Sequence, residues 1–245
     1  MPVTGILGKK VGMTQLFDDK GSVRPVTVLQ AGPCVVTQRK TAAKDGYEAA
    51  QIGLVEFVKE ERLSKPERGH LAKHDLPPVK LLREVPLEAA AATGAEADGP
   101  SVKVGDKVLV EIFEGEKFVD IVGTSKGRGF AGVVRRHHFR GGPRSHGSMF
   151  QVMGSLSASS FPSRVFKGKR MPGRMGGQQV TTRNLRVLGV DKDENLLLVE
   201  GAVPGPNGGY VMIRKTLKPP REHRGFTGVG MVDPLKASKR KAAKK

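Results

Sequence analysis

Between residues 121 and 190 the chain carries 13 Lys and Arg and not one Asp or Glu. That asymmetry restricts what the segment can become. It is also cut by glycine, at Gly127, Gly129, Gly132, Gly141, Gly142, Gly147, Gly154, Gly168, Gly173, Gly176 and Gly177. Between about residues 125 and 177 its apolar residues follow neither the helical nor the strand period. A loop of this length fits a compact domain when a partner orders it. A phosphate-rich partner is the one that the charge selects, since each Lys or Arg gains beside a phosphate and a carboxylate would be repelled. Glycine lets a backbone approach such a surface closely. The plainer reading, a solvated basic loop without a partner, fits less well, because the segment is compositionally varied and carries apolar residues at intervals.

The rest of the chain is more ordinary. Residues 1–120 hold 17 Lys and Arg against 18 Asp and Glu, and residues 191–245 hold 12 against six. The formal net charge of +18 over 245 residues therefore sits in the middle and the tail. It points to nucleic acid first and an anionic membrane second. No apolar run approaches the roughly 20 residues that span a bilayer. The single cysteine, Cys34, excludes a disulfide framework within the chain. The first residues, Met1-Pro2-Val3-Thr4-Gly5, lack signal-peptide character. The expectation is a soluble cytoplasmic protein.

Short strands with turns are expected at residues 11–17, 24–30, 34–39 and 47–57, the last two separated by a hairpin-type turn at Asp45-Gly46. Residues 65–74 and 79–85 are expected as short helices, with Pro77-Pro78 between them. Residues 86–100, rich in Ala, Glu and Gly, read as an exposed loop or insertion. Strands resume at 102–108, 109–113 and 118–122, and after the basic segment at 180–190, 196–203 and 210–214. With aromatics at only 5% and no Trp, the core must be built from Val, Leu, Ile and Met. Closely spaced short strands of this kind suggest a small barrel or sandwich.

Catalytic motifs do not survive inspection. Gly127-Arg128-Gly129-Phe130-Ala131-Gly132 is a literal G-x-G-x-x-G, but no acid follows before Asp191 to hold a ribose. Val134 extends it to a kinase-like glycine loop, yet neither H-R-D nor D-F-G follows. His70 and His74 have metal-ligand spacing without a third ligand nearby, so surface histidines are expected and no metal site. His137, His138 and His146 lie among arginines and suit phosphate or a base. Cys34, in a β-branched run, reads as a small core residue. The serines between 145 and 163 form no G-x-S-x-G elbow.

From Phe113 the pattern becomes specific. Six residues separate Phe113 from Asp120; Gly123-Thr124-Ser125-Lys126-Gly127-Arg128-Gly129 follows, then Gly132 and Arg136. This resembles the signature of the bacterial large-subunit ribosomal protein L-three family. Gly5-Ile6-Leu7-Gly8-Lys9-Lys10-Val11-Gly12-Met13-Thr14-Gln15, Gly32-Pro33-Cys34, Asp45-Gly46-Tyr47, Gly141-Gly142-Pro143, Ser145-His146-Gly147, Arg164-Val165-Phe166-Lys167-Gly168-Lys169-Arg170-Met171 and Asn195-Leu196-Leu197-Leu198-Val199 are similar to the same family, in order, over about residues 4–214.

The resemblance implies a mainly β fold: a translation-protein-type β-barrel with a small helical insertion and a long irregular basic extension. It divides the chain into a β-rich part at 1–124 with an insertion at about 59–101, an rRNA-binding loop at 125–178, the remainder of the β-domain at 179–218 and a basic tail at 219–245. It implies a non-enzymatic constituent of the large ribosomal subunit, without cofactor, metal, membrane or small-molecule substrate. Such a protein binds large-subunit rRNA, nucleates early assembly and points its extension toward the peptidyl transferase centre. Neighbours from the L-fourteen and L-nineteen families are implied as partners. The residues expected on RNA are Lys126, Arg128, Arg135, Arg136, His137, His138, Arg140, Arg144, His146, Arg164, Lys167, Lys169, Arg170 and Arg174. The expected tip is Gly154, Ser155, Leu156, Ser157, Ala158, Ser159 and Ser160. There the chain departs from the family's usual Pro-Gly-Ser-x-Gly-Gln and lacks the glutamine that is methylated in some members. An RNA-modifying enzyme with a basic groove would need titratable groups beyond histidine in this segment. A DNA-binding architectural protein would need a recognition helix; irregular Gly/Arg segments suit irregular RNA better.

Overall fold

The structure is a computed structural model that describes residues 3–18, 21–56, 58–87, 102–145, 147–158 and 160–220. Its strands in chain order are β1 (Gly5–Phe17), β2 (Val23–Ala31), β3 (Cys34–Lys40), β4 (Ala49–Val55), β5 (Val79–Pro86), β6 (Lys107–Val108), β7 (Phe118–Thr124), β8 (Phe130–Ala131), β9 (Gly173–Arg174), β10 (Gln179–Asp191), β11 (Leu196–Glu200) and β12 (Tyr210–Lys215). The helices are α1 (Ala42–Asp45), α2 (Lys65–Ala72) and α3 (Val133–His137). Six strands close a barrel in the order β1-β12-β7-β10-β11-β2. Closure leaves these strands no free edge. A second sheet, β5-β4-β3-β6, lies against it. One core joins the two: Ile6, Leu29, Ile121, Leu197 and Ile213 from barrel strands cluster with Val36, Ile52, Val85 and Val108 from the second sheet.

β-branched runs make most of these strands, since such side chains pack well on a pleated surface. β1 begins well before residue 11, where the apolar run suggested. Its first half is glycine-rich, and a Cβ on Gly8 would collide with the Gln30 carbonyl oxygen. The strand is therefore possible because its side chain is missing, which no strand propensity detects.

Four local expectations are corrected. Residues 102–106 are not strand: the chain turns there, with Gly105 at φ 94°, and only Lys107–Val108 pairs with β3. Residues 79–85 are not helical: β5 pairs with β4 from Ala49↔Pro86 to Val55↔Val79. The open edge of β4 offers that segment a full ladder, and Val79 and Val85 are buried by taking it. Residues 109–113 are not a strand but end in a 3₁₀ turn, Val110–Phe113. That geometry places side chains three apart on one side, and both Val110 and Phe113 enter the core. Asp45-Gly46 is not a two-residue hairpin turn; β3 and β4 are joined through α1, with Gly46 closing its end. α2 agrees with the helix expected over 65–74, although it stops at Ala72. The Glu67 carboxylate accepts from the Ser64 backbone N–H at 3.0 Å and its hydroxyl at 2.8 Å, a favourable helix start. The 86–100 insertion and the tail beyond 220 fall almost wholly outside the described residues.

Two sequence features acquire structural roles. Cys34 is fully buried, its thiol donating to the Leu7 carbonyl at 3.3 Å. Burial pushes that thiol up to about 12, so it stays protonated and inert at neutral pH. Asp120, in β7, accepts from the Asn184 backbone N–H at 2.8 Å and from the Thr216 hydroxyl at 2.9 Å. Asn184 sits where the β7–β10 register shifts, with φ of 57°. One carboxylate on β7 thus ties down the irregular point of β10 on one side and the residue after β12 on the other. Asp120→Ala is expected to destabilise the fold by about 1–3 kcal/mol by stranding those donors, a fall of several degrees in Tm for a chain of this size. Thermal melting by circular dichroism checks it.

Candidate nucleic-acid interface

The basic segment leaves the barrel at the end of β7 and returns at the start of β10. These strands are antiparallel neighbours, with Thr124 opposite Gln179 and Gly123 opposite Val180. Both ends of the segment are therefore held together by the barrel. The ladder continues irregularly outward: the Ser125 N–H donates to the Gln178 carbonyl at 2.9 Å, the Arg128 N–H to Met175 at 2.8 Å and the Met175 N–H to Gly129 at 2.9 Å. β8 and β9 then pair Phe130 with Arg174 and Ala131 with Gly173. So the segment has a two-stranded stem, contrary to the expectation that it fits neither helix nor strand. The stem needs Gly176, with φ of 74°, because a Cβ there would collide with the Lys126 carbonyl oxygen.

Beyond the stem α3 ends at His138, which adopts the left-handed conformation at φ 59°. Gly142 donates to the Phe150 carbonyl at 3.2 Å, folding the chain back once more. From 152 to 170 the described residues form no helix or strand. Neither core cluster of the protein draws a residue from 125–178. Within the segment Ala131 and Val133 are buried, while Phe130 is 75% and Phe161 88% exposed, and Phe166 is exposed as well. An extension with so little interior cannot hold its outer part by apolar burial alone.

The expected RNA-binding residues divide into two groups. Lys126, Arg128, Arg135, His138, Arg140, Arg144, Arg164, Lys167, Lys169, Arg170 and Arg174 are exposed. Arg136 and His137 are half-buried and turn back on the segment itself: Arg136 Nη1 donates to the Met171 carbonyl at 2.9 Å and His137 Nε2 lies 3.2 Å from the same oxygen. They hold the two sides of the extension together. The expected tip residues Gly154, Ser155, Leu156, Ser157, Ala158 and Ser160 are all exposed. His146 and Ser159 lie outside the described residues.

Among the described residues, no cation of the segment is ion-paired. The ion pairs lie on the barrel and second sheet, as in Lys9–Glu56 at 2.5 Å, Arg24–Asp18 at 2.7 Å and Lys192–Glu114 at 2.8 Å. The contrast is chemical: one part of the molecule neutralises its charges internally and the other presents them outward. His70 Nε2 is 2.9 Å from the Gln51 side-chain oxygen.

The exposed aromatics Phe130, Phe161 and Phe166 are not among the residues singled out from sequence. Their signal is nonetheless there, since an aromatic within a basic segment that lacks any core-forming period has nowhere to be buried. Arg164 already lies over the Phe166 ring, 5.6 Å from its centroid. Planar rings beside cations are the elements with which proteins hold unpaired bases and their backbone.

Comparison with known proteins gives a consistent result. The family model described as ribosomal protein L3 matches residues 101–196, a span that includes the whole extension. The protein named large ribosomal subunit protein uL3 from Koribacter versatilis is 69% identical over 243 residues, covering 99% of each chain. Its namesake from Solibacter usitatus is 57% identical over 213 residues, covering 86% of this chain and 98% of that one. The one from Heliobacterium modesticaldum is 47% identical over 218 residues, covering 89% and 99%.

Proposed function

The chain belongs to the ribosomal protein L3 family, and from that premise we propose that its acid-free extension binds large-subunit rRNA directly, acts early in subunit assembly and reaches toward the peptidyl transferase centre. The protein is a structural member of the large ribosomal subunit and not an enzyme. One observation carries the RNA-binding reading: among the described residues, the exposed cations of residues 125–178 have no carboxylate partner, and the segment contributes nothing to either core.

In this reading Lys126, Arg128, Arg135, Arg140, Arg144, Arg164, Lys167, Lys169, Arg170 and Arg174 contact mainly phosphate and sugar, which positions the extension without reading sequence. Phe130, Phe161 and Phe166 stack on unpaired bases. Arg136 and His137 brace the extension and reach RNA second. Residues 154–160 form its tip. The β-domain, from 1–124 and 179–218, with its barrel and second sheet, is the scaffold that carries it. Proteins of the L-fourteen and L-nineteen families are its proposed neighbours. The exposed apolar face near the β1–β2 turn, with Val11, Met13, Phe17 and Val23, suits a protein neighbour better than RNA.

Sucrose-gradient sedimentation of a cell extract tests the central claim. The chain is expected to travel with large subunits and, after dissociation at low Mg²⁺, to remain with them rather than with small subunits. Recovery at the top of the gradient would overturn it.

A further inference from the structure

Apart from the exposed cations of the extension, one lysine has an unusual setting. Lys10 belongs to β1, at the point where the β1–β2 register shifts, and is only 7% exposed. Its backbone is held twice by one turn: its N–H donates to the Gly209 carbonyl at 3.0 Å and its carbonyl accepts from the Gly208 N–H at 2.7 Å. Its ammonium donates to the Val203 carbonyl at 2.9 Å, and among the described residues it has no carboxylate partner. A buried cation compensated by a single neutral carbonyl is an unusual arrangement.

Lys10 does not stand alone. It lines an open cleft of about 510 Å³ at the root of the extension, with Ser125, Lys126, Arg128, Gly176 and Gly205. That volume is in the range of small-ligand sites. Among the described residues, no acidic one lines it. Three cationic residues thus line one space, one from the barrel wall and two from the outgoing side of the stem. The proton affinity of Lys10 is lowered, first by burial and then by the charge of Lys126, which places the two cations within electrostatic reach of each other. Gly176 and Gly205 let these walls pack closely, since a Cβ on either would collide with the carbonyl oxygen of Lys126 or Thr124. The stem bonds from Ser125 to Gln178 and from Arg128 to Met175 hold these walls in place without a ligand.

We propose that the cleft of Lys10, Lys126 and Arg128 is a preformed phosphate-binding site that grips one backbone phosphate of RNA at the root of the extension. The proposal rests on the RNA-binding reading above and makes it more specific. What sets this cleft apart from the other cations of the extension is Lys10, a largely buried ammonium beside the exposed Lys126 and Arg128, and its partial desolvation strengthens a charge-assisted contact. The cleft fixes the base of the extension on RNA while the outer part is ordered by its many weaker contacts.

The test uses inorganic phosphate titrated into the full-length protein at constant ionic strength, followed by NMR of backbone amides. Saturable shifts are expected at Lys10, Lys126, Gly176 and Gly205, reversed by an added large-subunit rRNA fragment. Lys126→Gln, a change at an exposed side chain, should weaken phosphate about tenfold, the scale of one charge-assisted contact. Lys73→Gln, at the far end of α2, should leave it unchanged. Shifts that are absent, or spread evenly along the cations of the extension, overturn the site while rRNA binding by the same sample still stands. Saturable phosphate binding that the rRNA fragment does not displace overturns the assignment to RNA backbone. If the wild-type protein does not bind the rRNA fragment at all, the reading on which the proposal rests fails instead.

Discussion

Raising the salt from about 50 to about 200 mM is expected to weaken binding of this protein to a large-subunit rRNA fragment by roughly 10³- to 10⁵-fold. The expectation follows from where the cations are. Eleven Lys and Arg lie between residues 125 and 178 with no Asp or Glu among them, and most are exposed. If about six to ten of them neutralise phosphates, the released counterions set a steep dependence of affinity on salt. Single substitutions should do little by comparison. Arg140→Ala should lower the slope by about one phosphate and leave the structure intact. Arg136→Ala should act differently, since it also removes the bond to the Met171 carbonyl that braces the extension. Fluorescence anisotropy across a salt series measures both. An affinity nearly independent of salt would mean that the cations are solvated and the RNA-binding reading is wrong.

Replacing residues 138–174 by a short Gly/Ser linker is expected to leave a folded barrel that has lost most of its rRNA affinity. Three observations support the first half. No residue of the segment belongs to either core cluster. β7 and β10 pair directly, so both ends of the linker are already neighbours. The innermost stem bonds, Ser125 to Gln178 and Arg128 to Met175, are kept. Loop closure costs grow only logarithmically with length, so shortening the loop does not strain the barrel. The second half follows from what is removed: Arg140, Arg144, Arg164, Lys167, Lys169, Arg170 and Arg174, seven of the 13 cations between 121 and 190, with Phe161, Phe166 and the tip. Cells that carry only this variant should accumulate large subunits defective in assembly or in peptide-bond formation. Circular dichroism with thermal melting reads the fold, and gradient profiles with translation assays read the function. An unfolded product would mean that the extension contributes to the core. Normal subunit yield and normal translation would show that its reach is dispensable.

The sequence by itself determined the division of labour in this molecule. A stretch without carboxylates cannot neutralise its own cations, so the outward-facing charge of the extension is legible from composition alone. Most barrel strands are legible too, because runs such as Val26-Thr27-Val28-Leu29 and Leu196-Leu197-Leu198-Val199 carry their preference locally. The motif from Phe113 to Arg136 named the family, although not what its residues do. Only the tertiary structure decided that residues 79–86 are a strand, since the edge of β4 that recruits them is a property of the sheet and not of the segment. It alone turned Val110 and Phe113 onto one side, drew Arg136 and His137 back to Met171 and brought Lys10 into one cleft with Lys126 and Arg128. Local preferences depend on chain neighbours and can be read along the sequence. Edges, braces and shared clefts depend on residues far apart in the chain, and they exist only once the barrel has closed.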